Sequence, residues 1–437
     1  METLYQAHYA AHVAEIQNRW EQALEAEGYS AVLVHSGTPM YSFQDDYEYA
    51  FRPNPHFLAW LPLTHHAGSA LLIRPGERPR LYYYQPDDYW YLPPSDPESW
   101  WADQFEIEIV REEGAWSQVM ANGAAALGDS PALGSEFAAE HINPAGLTHR
   151  LHIARTRKTA YEVACIDAAS RLAAGAHRAA EQAFREGESE FGIHMAYLQA
   201  CRQSDTELPY NNIVALNTHS AVLHYQARER TVPAEVHSFL LDAGCAVNAY
   251  ASDITRSYAS QPGEFADLVA AMDRLELDLV SRIRAGVDYK QLFLQSHREI
   301  AGVLADFDII RVAADEAVES GLSSVFYPHG LGHFLGLQTH DVAGFVDNDG
   351  KDIPRPEGHP ALRLTRVLEA GNVLTVEPGL YFIETLLDKW RQSNGPAAVN
   401  WDKVEKLAPC GGIRIEDNVV VREGGCDNLT REAFAEV

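Results

Sequence analysis

Apolar and polar positions follow two different regimes along the chain. In the first third, a polar helical pattern over roughly 5–27 gives way to the short apolar segments SAVLVHS, AGSALLI and RLYYY. Helix and strand signals mixed in this way predict an α/β domain. The proline-rich YLPPSDPESWW reads as a surface loop. After the basic stretch HRLHIARTRK (149–158), an alanine-rich, helix-favouring run extends from about Thr159 to near Gly187. This places a boundary near residue 155 and predicts domains over 1–155 and 156–437. In the second, helical patterns at about 264–285 and 288–305 lie between the strand-like segments NNIVALN, HSFLLDAG, ASDITRSYA, NVLTVEPGLYF and GGIRIEDNVVV. That order predicts an α+β domain with a partly antiparallel sheet.

Polar residues inside apolar segments carry the candidate chemistry. YPHGLGHFLGLQTHD holds His329, His333 and His340. The first two have the i, i+4 spacing of a zinc-protease helix, but Gly-Leu-Gly between them supplies no glutamate base and disfavours a helix. Irregular or extended backbone is expected there, with glycines letting the chain approach bound ions closely. In SFLLDAGCAVNAYASDITRSY, a turn at Val247 and Asn248 would pair residues whose numbers sum to 495, setting Asp242 opposite Asp253. Like charges so placed destabilise a sheet unless something positive lies between them.

Glu377 ends the apolar run of NVLTVEPGLYF. Glu416 lies among Ile413, Ile415 and Val419, on the strand face it shares with Arg414. Taken singly, each acid reads as solvated or as paired with an arginine. Four on strands beside a histidine-rich segment point instead to hard or borderline divalent cations such as Mn²⁺, Co²⁺ or Zn²⁺. Their combined charge favours two ions, about 3.5–4 Å apart, holding a hydroxide between them.

Charge and composition exclude several partners. Among 437 residues, 62 acidic against 34 basic give a net charge of −28, which repels nucleic-acid backbones and anionic lipid. The N-terminal METLYQAHYAAHVAEIQNRW lacks the apolar core of a secretion signal, and no run of apolar residues is long enough to span a bilayer. Five scattered cysteines with no CxxC pair suit a reduced, cytoplasmic protein.

The series Asp242 and Asp253 in LLDAGCAVNAYASDITR, His333 in HGLGH, Glu377 in TVEPG and Glu416 in GIRIEDN resembles the metal ligands of the prolidase and aminopeptidase P family, the pita-bread (creatinase/aminopeptidase-like) metallopeptidases. FQDDYEYAFRPNPHFLAW and PYNNIVALN resemble its bacterial Xaa-Pro dipeptidase branch, which includes organophosphorus acid anhydrolases. Tyr327 before the His-Gly pair and Cys245 after the first aspartate depart from the family pattern beside ligand positions.

The resemblance implies roles by position. Asp242 would hold one ion, Asp253 and Glu416 would bridge two, and His333 with Glu377 would complete the second site. Glu377 would also take the proton. His329 and His340 match non-ligand histidines near the scissile bond, where imidazole donors act as charge grows on oxygen. Arg414 matches an arginine behind the metals. His224 and Tyr210 match substrate-pocket residues, and Arg363 an arginine for the substrate carboxylate. Asp45 matches a residue supplied by the partner subunit of a homodimer. The implied activity is hydrolysis of the imide bond of Xaa-Pro dipeptides, with manganese the first choice of metal. Aminopeptidase P-type cleavage of longer peptides, phosphotriester hydrolysis and a catalytically dead binding module are the alternatives.

Overall fold

Residues 2–119, 123–393 and 396–437 are described in the computed structural model, in which the chain divides into the units Met1–Cys165 and Ile166–Val437. The division falls within the alanine-rich helix Ala160–Arg185.

In the first unit the apolar segments become β1 (Ala31–His35), β2 (Ala70–Ile73) and β3 (Arg80–Tyr84), joined by β4 (Glu106–Val110) and β5 (Ala124–Leu127). The sheet order is β4-β3-β2-β1-β5, with β1–β2 and β2–β3 antiparallel and β1–β5 and β3–β4 parallel. Strands β1, β2 and β5 are buried along their whole length, as runs apolar on both faces should be. The polar pattern at the start forms the helix Glu2–Glu27, which meets the helix Ala145–Arg155, and Arg19 donates to the Ala154 carbonyl at 2.8 Å. The proline-rich segment is irregular from 91 to 98.

The second unit contains β6 (Ile213–Leu216), β7 (Ser238–Asp242), β8 (Ala246–Val247), β9 (Tyr250–Ala251), β10 (Thr255–Ala259), β11 (Val373–Val376), β12 (Gly379–Tyr381), β13 (Gly412–Arg414), β14 (Asp417–Val421) and β15 (Cys426–Asn428). Its ladders β10-β7-β6, β11-β14-β15, β12-β13 and β8-β9 are all antiparallel. The amphipathic helices Glu264–Ser281 and Tyr289–Asp306 set Leu268, Met272, Phe293 and Ile300 into one core with Val376, Leu380, Ile413 and Val419.

Two strand-like segments are each cut in two, and the cuts matter. Pro378, lacking an N–H, ends β11 before β12 begins, and Glu377 sits in the gap. Glu416 sits in the corresponding gap between β13 and β14, where it forms an isolated bridge with Thr255.

The register of the first acid pair differs from the expectation. Ala246 pairs with Ala251, Val247 with Tyr250 and Asp242 with Thr255, so partner numbers sum to 497. The turn is Asn248-Ala249, with φ of 50° and 70°. Two-residue hairpin turns of this kind need positive φ at both positions, which asparagine tolerates and β-branched Val247 resists. Asp242 therefore faces a hydroxyl rather than Asp253. Antiparallel partners share a face, so Asp242, Thr255 and Glu416 form one row across three chain segments.

Behind that row lies a buried charge network. Asp417 receives Arg256 Nη2 at 2.6 Å, Arg431 Nε at 2.5 Å and Asn428 Nδ2 at 2.7 Å, while Arg431 Nη2 also holds the buried Glu276 at 2.8 Å. Arg256 Nη1 donates to the Thr255 and Glu416 carbonyls, each at 2.8 Å, tying the network to the row. Removing one partner leaves buried charge uncompensated. Arg431→Ala is accordingly expected to cost about 3 kcal/mol or more in urea unfolding, whereas Arg298→Ala, which breaks an exposed pair with Asp315, should leave the midpoint unchanged within error.

Candidate metal centre and active site

His333 lies on irregular backbone clamped to β11: its N–H donates to Thr375 Oγ1 at 3.2 Å, and Thr375 N–H donates to its carbonyl at 2.9 Å. Gly332 makes this clamp possible, since a Cβ there would lie 2.1 Å from the Thr375 carbonyl oxygen and 2.5 Å from the Tyr289 hydroxyl. The close approach is thus to a neighbouring strand. His333 Nδ1 meets the Phe334 carbonyl at 2.9 Å, which requires the proton on Nδ1 and aims Nε2 at the acids. Nε2 stands 3.4 Å from Asp253 Oδ2 and 3.6 Å from Glu377 Oε1.

These acids are crowded, and their proton affinities record it. Burial pushes the Glu377 carboxyl up to about 7, with Asp253 and Asp242 adding to the shift and His333 and Arg414 opposing it. Burial raises Glu416 further, reinforced by Asp253, Glu377 and Asp242. Asp242 is raised by burial against the pull of Arg414. Asp253 is also buried, but its hydrogen bond to His333 and that residue's charge outweigh burial and hold it below the ordinary carboxylate value.

Arg414 is a buried guanidinium that contacts side chains of the row. It donates through Nη2 to Asp242 Oδ2 at 2.6 Å, through Nη1 to the Tyr381 hydroxyl at 2.9 Å and through Nε to Thr255 Oγ1 at 3.2 Å. The Thr255 hydroxyl in turn donates a hydrogen bond to Glu416 Oε2 at 2.6 Å. The Tyr381 hydroxyl meets His329 Nε2 at 2.8 Å, and His329 Nδ1 meets the Gly330 carbonyl at 2.8 Å. A carbonyl only accepts, so Nδ1 carries the His329 proton and Nε2 accepts from Tyr381. Burial, with Arg414 nearby, lowers the His329 pKa to about 3 and keeps the ring neutral.

The remaining expected residues are placed as follows. The His340 ring stands edge-on to His333 with centroids 4.4 Å apart; the residue is exposed, yet burial of the ring in the surrounding protein, helped by His333 and Arg363, pulls its pKa below the usual imidazole value. The Tyr210 hydroxyl is buried within electrostatic reach of Asp242, Asp253 and Glu416 and meets no partner at hydrogen-bonding geometry among the described residues. His224 is exposed, and its charge would reach both His329 and His340. Arg363 is exposed and reaches His340. Asp45 belongs to the first unit, exposed in a reversal closed by the Tyr41–Glu48 bridge, where its own carboxylate accepts from Asp46 N–H at 2.8 Å.

The donor set fits a divalent cation. Asp253, His333 and Glu416, all buried, each place one ligand atom within 4.8 Å of the others, and the buried Oδ1 of Asp242 has no hydrogen-bond partner among the described residues. Residues 7–153 match the family described as Xaa-Pro dipeptidase, N-terminal domain, and residues 164–423 match metallopeptidase family M24. The chain belongs to metallopeptidase family M24. Its curated relatives include proteins named Xaa-Pro dipeptidase from Xanthomonas campestris pv. campestris (strain B100), 48% identical over 98% of both chains, and from Stenotrophomonas maltophilia (strain R551-3), 48% identical over 98% of this chain and 97% of that one. Among solved structures, zinc-substituted Escherichia coli aminopeptidase P in complex with product superposes with a TM-score of 0.73 at 22% identity over 97% of both chains. The pita-bread architecture expected for the M24 unit is thereby established.

Two residues of this M24 centre escaped sequence reasoning. Thr255 lies two positions after Asp253 in the segment that was read, but hydroxyls on strands are too common to single out. Tyr381, four positions after Glu377, carried no signal beyond an apolar environment.

The raised carboxylates set a pH dependence for the metal-free protein. A folded pKa of about 7 for Glu377 lies above its ordinary value of 4.5, so this group's contribution to stability is full below about pH 4.5 and lost as pH rises through 7. Glu416 acts in the same sense, whereas Asp253 acts oppositely and is ionised throughout this window. Chelator-treated protein should melt at a lower temperature at pH 8 than at pH 5.5 by circular dichroism, with the difference reduced in Glu377→Gln and reversed by added Mn²⁺. An equal slope in Glu377→Gln would assign the effect to other groups.

Proposed function

We propose that this chain is a Xaa-Pro dipeptidase that works with two divalent cations per subunit, manganese first, with cobalt or zinc suited to the same donors. The observation that carries the reading is the convergence of Asp253, His333 and Glu416 beside the orphaned Asp242 oxygen, in a chain 48% identical over its length to proteins named for that activity. Asp242 would hold one cation, Asp253 and Glu416 would be shared between two, and His333 and Glu377 would complete the other. When bound, such a pair lowers the pKa of water and polarises a carbonyl.

The side chains supply the rest. Glu377, beside His333, would accept a proton on a carboxylate oxygen and return it to the departing proline nitrogen. His340, exposed and edge-on to His333, stands where negative charge would develop on the carbonyl oxygen. Arg363, exposed and without an ion-pair partner among the described residues, is a free cation for the carboxylate of a dipeptide. His224 and Tyr210 would flank the substrate.

A homodimer completes this reading. Phe43 and Tyr47, beside Asp45 in the chain, and Tyr89, Trp90 and Leu92 are exposed, at 87%, 65%, 86%, 78% and 96%. So much exposed apolar and aromatic surface marks an interaction site, and a second copy covering it would take Asp45 to its own pocket. The five free cysteines suit a reducing compartment such as the cytoplasm. Among the described residues no helix is long and apolar enough to cross a membrane.

Activity of metal-stripped protein reloaded with Mn²⁺, Co²⁺ or Zn²⁺, assayed on a Xaa-Pro dipeptide, a tripeptide and an aryl phosphotriester, tests the assignment; no dipeptide turnover with any ion would overturn it. Asp253→Asn is expected to lower metal content and reduce kcat more than about a hundredfold, since even residues behind the ligands can cost that much. Arg363→Ala should raise KM for Xaa-Pro dipeptides about ten- to a hundredfold, the value of one charge-assisted contact, and leave tripeptide cleavage little changed. Equal effects on both substrates would remove Arg363 from the carboxylate role.

A further inference from the structure

Glu190 lies outside the acid row, at the first position of the helix Glu190–Cys201, directly after the capping Ser189. Its side chain is almost wholly buried, yet no arginine or lysine pairs with it among the described residues. Instead its carboxylate collects four donors from one stretch of chain. Oε1 accepts from Leu216 N–H at 2.8 Å and from His219 Nδ1 at 2.7 Å. Oε2 accepts from the Tyr225 hydroxyl at 2.6 Å and from Glu229 N–H at 2.7 Å. The His219 and Tyr225 rings stack on each other with centroids 4.4 Å apart.

Residues 216–229 are therefore wrapped around a single carboxylate. The segment has little regular structure of its own beyond the short turn Asn217–Ala221, and its entry is fastened to β13 where Gly412 N–H donates to Ser220 Oγ at 2.8 Å. His224 adjoins the anchored Tyr225, exposed and within electrostatic reach of His329 and His340.

We propose that Glu190 is a positioning residue for substrate binding: by gathering Leu216, His219, Tyr225 and Glu229 it fixes the loop that presents His224 to the peptide. The inference rests on the dipeptidase reading for its substrate, although the ordering of the loop does not. Glutamine cannot replace this carboxylate. Each oxygen receives a backbone N–H that cannot reverse, so the amide NH₂ faces an N–H in either orientation, and a buried mismatch of that kind is unfavourable.

Glu190→Gln, Tyr225→Phe, His224→Ala and the two double variants with His224→Ala test this, using the Mn²⁺-loaded full chain. Glu190→Gln should lose at least about tenfold in kcat/KM for a Xaa-Pro dipeptide, carried mainly by KM, with metal content unchanged. In the His224→Ala background the same substitution should cost less than about twofold, because residues acting through one another do not add. Tyr225→Phe keeps the carboxylate and removes one donor; it should show a smaller loss with the same non-additivity, and it carries the test if Glu190→Gln does not fold. Amide hydrogen exchange should rise in 216–229 and stay unchanged at 373–381. Losses that multiply with that of His224→Ala, or exchange in 216–229 equal to wild type, would overturn the proposal. Wild-type protein without dipeptide turnover would fail the dipeptidase reading alone, since the exchange measurement needs no substrate.

Discussion

The organising constraint is a deficit of positive charge among buried acids. Asp242, Asp253, Glu377 and Glu416 share a space in which, among the described residues, the guanidinium of Arg414 and the imidazole of His333, inclined to protonate, are the cations the side chains meet. Isolated carboxylates in such surroundings are costly, and protons or metal ions must make up the difference. The raised values of Glu377 and Glu416 are the proton-bound expression of that deficit. A divalent cation answers the same need by binding the oxygens that protons would otherwise occupy, which is why the arrangement makes sense as a metal centre and poor sense as a set of ion pairs.

Backbone geometry holds these charges together. Strands that ran on unbroken would bury Glu377 and Glu416 in regular ladders. Pro378 stops one, and the gap at Ile415–Glu416 stops the other, so both acids stand where chain segments cross. Thr255 then serves as spacer, facing Asp242 in the ladder and donating to Glu416. Behind it, Arg256 grips the carbonyls of Thr255 and Glu416 and is itself held by Asp417. Strain from like charges in front is thus opposed by attraction between unlike charges behind.

Element types, and the acids and histidine that come together as Asp253, His333 and Glu416, were legible because they rest on local signals: the 3.6-residue periodicity of 264–281 and 289–306, and acids in β-branched surroundings. The hairpin register was not. A one-residue change in the position of a two-residue turn shifts every pair sum by two, and the turn was fixed by the tolerance of Asn248 for positive φ rather than by the hydrophobic pattern. Tyr381 and Glu190 were illegible for another reason. Their meaning lies in partners 52 residues away for Tyr381 and 26 to 39 residues away for Glu190, and no periodicity encodes a contact of that kind. Sequence pattern located the acids; what it missed were the donors that hold the site in shape.

The three histidines of 329–340 divide by the same logic. His333 gives one nitrogen to the Phe334 carbonyl and turns the other toward the acids. His329 has both nitrogens engaged, one by Gly330 and one by Tyr381, so in this arrangement it has no free donor for a developing oxyanion. Its Nδ1 does approach Glu377 Oε2 at 3.8 Å, close enough for its electrostatics to bear on that carboxylate. His340 is exposed, with its ring edge-on to that of His333. The geometry thus separates the two: His340 stands exposed beside His333, whereas His329 links Arg414, through Tyr381, to the backbone that carries His333.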